Sequence, residues 1–401
     1  KESLFGKDCA ACFAADSPLA PGAVRLPSLE GLPGVEASVA WKSCVSGGFP
    51  RLAGLKNSGN MCYVNATAQV LLRIPALAVF LDSHSSLCAT GLESGCVTCA
   101  LHQTRQQLGS RKEPAVVARR GSVHRMFGDG GQQDLPVFVQ RLLAQMISVE
   151  LAAEPCRAGP YEGVRLDRPG VTQLVTHVDR MFGFVEEQRM RCTRKGCGAG
   201  RQTFELKNML VLPLPDERSD AVTVFDLYLR YCRGVTKAVN CQRCGCLTDH
   251  SSQRRMVTRP NVLVVQARRI QAEGGSVWRH RVRPEARVEL EGVGVMELCA
   301  VVYHGGVSVE SGHYTCACRG PDGMFWLFDD VTRGDTGCRR LPIDIEQVLQ
   351  KSVYVLVYVR PRGAVEFADM GGVPAGGASV GSTMPGLDGP MAVDSASASG
   401  G

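Results

Sequence analysis

The sequence predicts an α+β fold in which helices come first along the chain and an antiparallel sheet follows. One observation is a 3.6-residue spacing of apolar residues, which is typical of a helix with one buried face. Those residues are Leu135, Phe138, Val139, Leu142, Leu143 and Met146. A second is a series of short apolar segments separated by turns, at residues 262–266, 298–303, 314–318, 324–328 and 353–359. A doubly wound fold needs helices and strands to alternate, and here they do not.

The composition narrows the class of protein. Of the 401 residues, 44% are hydrophobic and 21% charged, which excludes a wholly disordered chain. The net charge of +6 is small and scattered, so no nucleic-acid partner is expected. The longest apolar run, Val353–Val359, is far below the roughly 18 residues of a membrane helix, so no membrane partner is expected either.

The two ends of the chain differ from its middle. Residues 1–50 contain scattered Pro and Gly and are expected to be a linker or a truncated N-terminal segment, in which the lone pair Cys9 and Cys12 fits chance spacing. Residues 362–401 contain ten Gly and three Pro, so the tail 361–401 is expected to be disordered. The folded body is therefore predicted at residues 51–360.

Cysteine is frequent, with 18 residues in the chain. The chain opens at Lys1 without an apolar signal segment, so it is interpreted as a fragment of a longer protein from a reducing compartment, the cytoplasm or the nucleus. In such a compartment cysteines serve as nucleophiles, metal ligands or buried apolar residues.

Cys62 is a candidate nucleophile. The polar, glycine-containing turn 54–61 precedes it, and an apolar segment predicted to be helical follows it. A cysteine at a helix N-terminus is favoured as a thiolate, although most cysteines in that position are structural. The turn also contains Asn57, whose amide can donate a hydrogen bond to a developing oxyanion.

His313 is a candidate general base. It follows a glycine-bearing turn at the start of a predicted strand, and the adjacent carboxylates Asp329 and Asp330 end the next predicted strand. A hairpin would bring the carboxylates beside the imidazole, where one of them can orient the ring.

Three segments together resemble the motifs of the ubiquitin-specific proteases, a papain-like family of deubiquitinating enzymes. The segment 54–65 resembles the family's cysteine box, Gly131-Gln132-Gln133-Asp134 its Gln-Gln-Asp motif, and the segment 313–329 its histidine box. The resemblance covers the whole predicted body. It implies a papain-like α+β fold with a helical thumb, an antiparallel β palm and zinc-binding β fingers.

The resemblance also implies roles for single residues. Cys62 would be the nucleophile, His313 its general base and Asp329 the group that orients the imidazole. Asp330 would be auxiliary, and Asn57 would supply the oxyanion-hole amide. The implied reaction needs no catalytic cofactor: it cleaves the isopeptide bond after the C-terminal Gly of ubiquitin, and the implied partners are ubiquitin and ubiquitinated proteins.

Two positions depart from the family pattern. Met61 stands where the family usually has Thr. It directly precedes Cys62 and is not expected to take part in the reaction. Val137 stands where the family usually has Glu, in a region whose acidic groups receive the arginines of the ubiquitin tail. Asp134 remains as the candidate substrate-binding carboxylate. Because Val137 has no carboxylate, a second hypothesis stays open, which is the same chemistry on another ubiquitin-like modifier. A third hypothesis is a catalytically weak ubiquitin-binding scaffold.

Four cysteines are candidate zinc ligands in the fingers. Cys192 and Cys197 form one pair, and Cys241 and Cys244 form a C-x2-C pair. Two such pairs can complete a tetrahedral structural zinc site. The first pair has four intervening residues where the family usually has two, so Cys246 is a possible substitute ligand and free thiols are the alternative.

A second cluster combines His84, Cys88, Cys96 and Cys99 within 16 residues. The four side chains are potential metal ligands, but their short spacing favours a loop that buries thiols.

Overall fold

The computed structural model describes the body of the chain in segments. They are residues 52–57, 59–88, 95–110, 133–150, 164–166, 176–215, 221–269, 280–306, 311–320, 322–331, 338–340 and 353–361. The predicted linker, the pair Cys9 and Cys12, residues 131–132 and the predicted tail beyond residue 361 lie outside the described residues. The boundaries of the predicted body therefore stay predictions.

Six helices lie in the described part of the chain, five of them before the first strand of the large sheet. They are α1 Cys62–Leu71, α2 Pro75–Leu87, α3 Val97–Ser110, α4 Leu135–Glu150, α5 His177–Phe182 and α6 Val224–Arg233. The helix predicted from apolar spacing is confirmed as α4: its six predicted core residues are all buried. Pro136 lies in its first turn, where a missing N–H costs no helical hydrogen bond.

Fifteen strands occur among the described residues. They are β1 Val164–Leu166, β2 Phe184–Cys192, β3 Gly200–Lys207, β4 Leu210–Pro213, β5 Val222–Thr223, β6 Lys237–Cys241, β7 Cys246–Met256, β8 Val262–Arg268, β9 Val282–Arg283, β10 Arg287–Leu290, β11 Gly294–Gly305, β12 His313–Arg319, β13 Phe325–Phe328, β14 Cys338–Arg340 and β15 Val353–Val359. All five segments predicted as strands are confirmed, with small shifts at their ends.

Eight strands form the palm sheet, in the order β14-β13-β12-β11-β15-β8-β4 with β10 paired to β11. Its pairs are antiparallel as predicted, except that β4 lies parallel to β8. The chain between these two strands runs out through α6, β6 and β7 before it returns. Parallel neighbours require such a long crossover, which the short apolar segments alone did not reveal.

Five strands form the fingers sheet, in the order β1-β3-β2-β7-β6, and every pair is antiparallel. The run 204–214, which resembles one strand in the sequence, is divided between the sheets: β3 ends at Lys207 in the fingers, and β4 begins at Leu210 in the palm. The hairpin turns between the fingers strands therefore belong to the fingers sheet and not to the apolar palm sheet.

The palm sheet is covered on both faces. All seven residues of β15 are buried. The cluster that contains α1 includes Tyr354, Val355, Val357 and Val359, and the cluster that contains α6 includes Val353, Leu356 and Tyr358. Burial on both faces explains why this strand is a continuous apolar run rather than an alternating one. All ten residues of α1 are also buried. The first residue of α1 is therefore held in a fully packed helix.

Among the described helices, none is by itself long and apolar enough to cross a membrane. The consecutive segments Cys62–Leu71 and Pro75–Asp82, bent by 91° at the break between them, reach that length and apolarity only as a pair.

Candidate active site

Cys62 is the first residue of α1 and is 4% exposed. Gly59, with a φ of 116°, turns the chain just before Met61, the residue that precedes the helix. The first turn of α1 contains no acidic side chain, so no carboxylate of its own neutralises the positive end of the helix dipole. The Cys62 side chain therefore lies at the positive end of the helix dipole.

Two neighbouring strands bring a histidine and a carboxylate together. His313 begins β12, and Asp329 directly follows β13. Because β12 and β13 are antiparallel neighbours, the start of one lies beside the end of the other. His313 Nε2 donates a hydrogen bond to Asp329 Oδ1 at 2.8 Å. This bond fixes the plane of the ring and leaves Nδ1 for a second partner.

The second partner of His313 is Cys62, although the two residues lie far apart in the chain. Their hydrogen bond is the main reason why the pKa of His313 is raised to about 9; burial opposes the shift, and Asp329 and Asp330 add to it. The imidazole is therefore protonated at neutral pH. A protonated imidazole in contact with a cysteine is placed to act as a general acid.

Asp330 contacts both His313 and a residue of α1. One of its oxygens lies 3.6 Å from His313 Nε2, and the other accepts a hydrogen bond from Asn65 Nδ2 at 2.7 Å. Burial raises the pKa of Asp330, and the contacts with Asn65, His313 and Asn57 oppose that shift. Asp330 thus joins the end of β13 to α1 and to the turn before it.

Asn57 lies in that turn, with its side chain hydrogen-bonded to Asp330. Its Oδ1 is buried and has no hydrogen-bond partner among the described residues. The structure therefore places the predicted oxyanion residue within the group formed by Cys62, His313 and the two carboxylates.

The turn before His313 depends on glycine. Gly312 has a φ of 149°, and a Cβ there would lie 2.6 Å from the carbonyl oxygen of Gly305 and 2.7 Å from His304 Nε2. A side chain would therefore push the β11–β12 hairpin open and move His313 away from Cys62.

Asp134 lies at the N-terminus of α4, where its carbonyl accepts the first helical hydrogen bond from Phe138 N at 3.0 Å. Its Oδ1 accepts hydrogen bonds from Tyr354 at 2.8 Å and Tyr314 at 3.4 Å. Burial raises the pKa of Asp134, and the two tyrosine hydrogen bonds counteract it. The bond to Tyr314 ties Asp134 to the strand that begins with His313, and Val137 lies in the first turn of α4.

The sequence alone did not identify Asn65, Tyr314 or Tyr354 as parts of the site. Asn65 did carry a signal: it is a polar residue in an apolar helix, three positions after Cys62 and so on the same face. Tyr354 carried none, because an aromatic residue in a buried strand is ordinarily a core residue.

The four predicted fingers cysteines come together at two turns, one between β2 and β3 and one between β6 and β7. The Sγ atoms of Cys197 and Cys241 are 3.6 Å apart, and those of Cys192 and Cys244 are 3.9 Å apart. A tetrahedral Zn²⁺ with sulfur at about 2.3 Å requires Sγ pairs about 3.8 Å apart, so this set fits a metal ion.

Cys246, the possible substitute ligand, is not one of this group. Its thiol is exposed and accepts a hydrogen bond from Arg194 at 3.5 Å. The unusual four-residue spacing of the first pair is therefore accommodated within the turn, and no fifth cysteine is required.

Comparison with known proteins identifies the family. Residues 53–358 match the family model described as ubiquitin carboxyl-terminal hydrolase. The chain belongs to this family, which consists of cysteine-type deubiquitinating enzymes. Similar curated proteins include human ubiquitin carboxyl-terminal hydrolase 42, which is 26% identical over 77% of this chain and 23% of the relative. Ubiquitin carboxyl-terminal hydrolase 36 of Drosophila grimshawi is 25% identical over 76% of the chain and 25% of the relative. The chain thus spans about a quarter of these relatives' length.

Solved structures of the same architecture are also similar. The SAGA deubiquitinating module containing Ubp8, bound to ubiquitin aldehyde, matches with a TM-score of 0.59 and 20% identity over 78% of this chain and 70% of that chain. The same module bound to monoubiquitin matches with a TM-score of 0.58 and 19% identity, over 78% and 69% of the two chains. These matches confirm the α+β fold with thumb, palm and fingers.

Proposed function

We propose that this chain is a cysteine-type deubiquitinase that cleaves the isopeptide bond after the C-terminal Gly of ubiquitin, on conjugated proteins or on chains. The observation that carries the proposal is the meeting of Cys62, His313 and Asp329 at the N-terminus of α1. The family membership and the ubiquitin-bound state of the similar solved structures support the choice of modifier.

The proposed reaction has two acyl-transfer steps. In the first, the Cys62 thiolate attacks the carbonyl carbon of the terminal Gly. The C–N bond to the lysine then breaks while the His313 imidazolium gives its proton to the leaving amine. In the second, neutral His313 takes a proton from water, and the hydroxide attacks the thioester carbonyl. The C–S bond breaks, which releases the ubiquitin carboxylate and restores the thiolate–imidazolium pair. Asp329 holds the ring in place throughout.

The proposed oxyanion donor is the Asn57 amide. The oxyanion exists only in the tetrahedral states, so a donor fixed beforehand stabilises those states more than the substrate. Asp330 helps to fix this amide, because it contacts Asn57, Asn65 and His313 together.

We assign the substrate tail to the surface beside Asp134. Hydrogen bonds from Tyr314 and Tyr354 hold the carboxylate in one orientation. A fixed, partly buried carboxylate gives a charge-assisted hydrogen bond to an arginine at a small cost in side-chain entropy. The basic C-terminal tail of ubiquitin supplies such an arginine.

We further propose that Cys192, Cys197, Cys241 and Cys244 bind a structural Zn²⁺. The metal would cross-link the two turns at the tip of the fingers, and it takes no part in the chemistry at Cys62. Four thiolates at tetrahedral spacing are the ligand set that structural zinc sites use.

The test is a covalent trap. Ubiquitin with a C-terminal thiol-reactive group is incubated with the parent chain and with Cys62→Ala, and adducts are detected by mass spectrometry. An adduct in the parent and none in the variant supports both the nucleophile and the modifier. A folded parent that gives no adduct contradicts the proposal.

Val137 is the observation that favours the second candidate, the same chemistry on another ubiquitin-like modifier. The trap also separates this candidate from the leading one, because the chain would then react with a different modifier carrying the same reactive group. A chain that binds ubiquitin but traps none of the modifiers would be the scaffold of the third hypothesis.

Val137→Glu is expected to tighten the binding of ubiquitin. The new carboxylate lies in the first turn of α4, next to Asp134 and at the end of the helix that favours a negative charge. One added charge-assisted hydrogen bond contributes about 1.5–3 kcal/mol, or roughly a 10- to 150-fold lower Kd. Titration of ubiquitin into the Cys62→Ala background measures it. Gln140→Glu, which adds the same charge further along α4, is the control and should change the Kd little. An equal effect of both variants would show that the tail does not pass Val137.

The raised pKa of His313 predicts the alkaline limit of activity. We expect kcat/KM to fall as the pH rises through about 9, because His313 then loses the proton that it gives to the leaving amine. Asp329→Asn removes a group that raises this pKa, so the fall should begin at a lower pH. A pH–rate profile up to about pH 10, recorded for the parent and for Asp329→Asn, measures the pH at which kcat/KM falls in each protein. Asp322→Asn, in the turn before β13, is the matched control and should leave the profile in place. An unchanged profile in Asp329→Asn would argue against its contact with His313 in solution.

A further inference from the structure

A buried arginine lies at the end of α1 opposite Cys62. Arg73 comes two residues after the helix ends and is 1% exposed. It is connected through Gln69 to the chain segment that ends with Asn57, and it contacts the strand that precedes Asp329. We propose that Arg73 is a positioning residue, which fixes Asn57 and Asp329 relative to Cys62. The inference rests on the proposed function, because these three residues carry out the proposed reaction.

Arg73 fixes the side-chain amide of Gln69. One of its nitrogens, Nη1, donates hydrogen bonds to the Gln69 carbonyl at 3.0 Å and to the side-chain oxygen Oε1 of the same residue. A guanidinium has only donors, so it binds the oxygen of the amide and leaves the nitrogen of the amide free to donate elsewhere. The orientation of Gln69 is therefore set by Arg73.

The oriented Gln69 holds the segment that ends with Asn57. Its Nε2 donates a hydrogen bond to the Ala53 carbonyl at 3.0 Å. Asn65, four residues before Gln69 and so on the same face of α1, has its Nδ2 at 3.5 Å from the Lys56 carbonyl. Two amides of α1 thus hold the segment at two points, and the shorter hydrogen bond is the one that depends on Arg73.

Apolar packing is incomplete where these hydrogen bonds form. Residues of the segment, of α1 and of β13 line a cavity of about 10 Å³, among them Leu55, Gln69 and Phe328. That is about the space that a single water molecule needs. Because side chains do not fill the space between the segment and the helix, the hydrogen bonds from α1 determine where the segment lies.

The second contact of Arg73 is with the end of β13. The central carbon of its guanidinium lies 4.1 Å from the centre of the Phe328 ring. A cation over an aromatic face is attracted to it, and the attraction is larger where water is excluded. Phe328 is the last residue of β13, and Asp329 follows it directly. Arg73 therefore also holds the strand end from which Asp329 reaches His313.

A role in core packing alone explains Arg73 less well. A buried guanidinium loses its hydration, and an apolar residue of similar volume in place of a buried charged one is often neutral or stabilising. What the charge adds are the contacts with Gln69 and Phe328, and both lead to the active site. We therefore expect Arg73→Met to unfold at a temperature close to that of the parent, although its activity falls.

The test separates binding of ubiquitin from stabilisation of the oxyanion, and ubiquitin aldehyde is the probe. Cys62 Sγ bonds to the aldehyde carbon, the C=O double bond becomes a single bond, and the oxygen takes the position of the oxyanion. We expect Arg73→Met to lower kcat by about 10- to 100-fold and to raise the Ki of ubiquitin aldehyde by a similar factor, since a misplaced oxyanion donor costs about that much. The Kd of unmodified ubiquitin, measured in the Cys62→Ala background, should change little.

Two further variants are the controls. Arg360→Met removes another buried guanidinium, which follows β15 and donates to the Pro260 carbonyl at 3.0 Å, and it should leave kcat and Ki unchanged. Arg73→Lys should recover most of the lost kcat, because both hydrogen bonds to Gln69 come from one nitrogen and an ammonium group can donate both.

The outcomes distinguish this inference from the proposed function. A parent that does not cleave ubiquitin overturns both. If the parent is active and Arg73→Met keeps the parent's kcat and Ki, or if Ki and the Kd of ubiquitin rise equally, only the positioning role is wrong. Should Arg73→Met not fold, Gln69→Met breaks the same connection at Ala53 and should raise Ki in the same way. An unchanged Ki in Gln69→Met would overturn the inference.

Discussion

Replacing His313 with alanine is expected to lower kcat/KM for ubiquitin cleavage by about 10⁴-fold or more, the order seen when one member of such a triad is removed. The substitution removes two contributions together. The imidazolium that protonates the leaving amine is lost, and so is the positive charge that the hydrogen bond and Asp329 keep beside the Cys62 thiol.

A second readout separates catalysis from folding. Alkylation of Cys62 by a small reagent depends on its thiolate and not on substrate binding, so His313→Ala should slow this reaction at neutral pH as well. His102→Ala, on α3, is the matched control and should change neither rate. If His313→Ala keeps kcat/KM within tenfold of the parent while remaining folded, the proton acceptor is a different group and the proposed mechanism is wrong.

Much of the fold could be predicted because its signals are local. The spacing in α4, the start of α1 after a glycine-containing turn and the apolar run of β15 each reflect the burial of neighbouring residues in one element. The division of 204–214 into β3 and β4 has no comparable signal, because it depends on which sheet each half joins.

In the candidate site, too, local sequence predicted the positions of residues but not the contacts between distant elements. Cys62 lies at a helix start and His313 at a strand start, and local sequence predicted both positions, whereas only the family resemblance implied that they meet. The contacts of Asp330 with Asn65, and of Asp134 with Tyr354, join elements far apart in the chain. Such contacts follow from the register of the palm strands, which no local pattern encodes. The same holds for the fingers, where Arg255 of β7 pairs with the buried Glu187 of β2.

Removal of the metal ion proposed for the fingers is expected to have the largest effect on stability. At the tip of the fingers the buried cluster consists of Cys192, Cys197 and Cys241, with Ala199 and Cys244 packed against it. This is too little apolar surface to hold two turns together by burial alone. Structural zinc contributes about 10–16 kcal/mol of apparent binding free energy in small zinc domains, so loss of one ligand should cost several kcal/mol of local stability.

We therefore expect Cys241→Ser to open the tip of the fingers while the palm stays folded. Amide hydrogen exchange should become fast in β6, in the turn between β2 and β3 and in the turn between β6 and β7, and it should stay slow in α1 and β15, whose residues are all buried. Cys246→Ser removes an exposed thiol from the same hairpin and should leave exchange unchanged.

The region in which hydrogen exchange changes decides whether a metal ion or backbone pairing holds the two turns. If Cys241→Ser and the parent exchange equally fast in the fingers, the turns are held by their backbone pairing and the four thiols are not a metal site. If a chelator added to the parent reproduces the pattern of Cys241→Ser, the cross-link is the metal itself, since the chelator leaves every side chain in place.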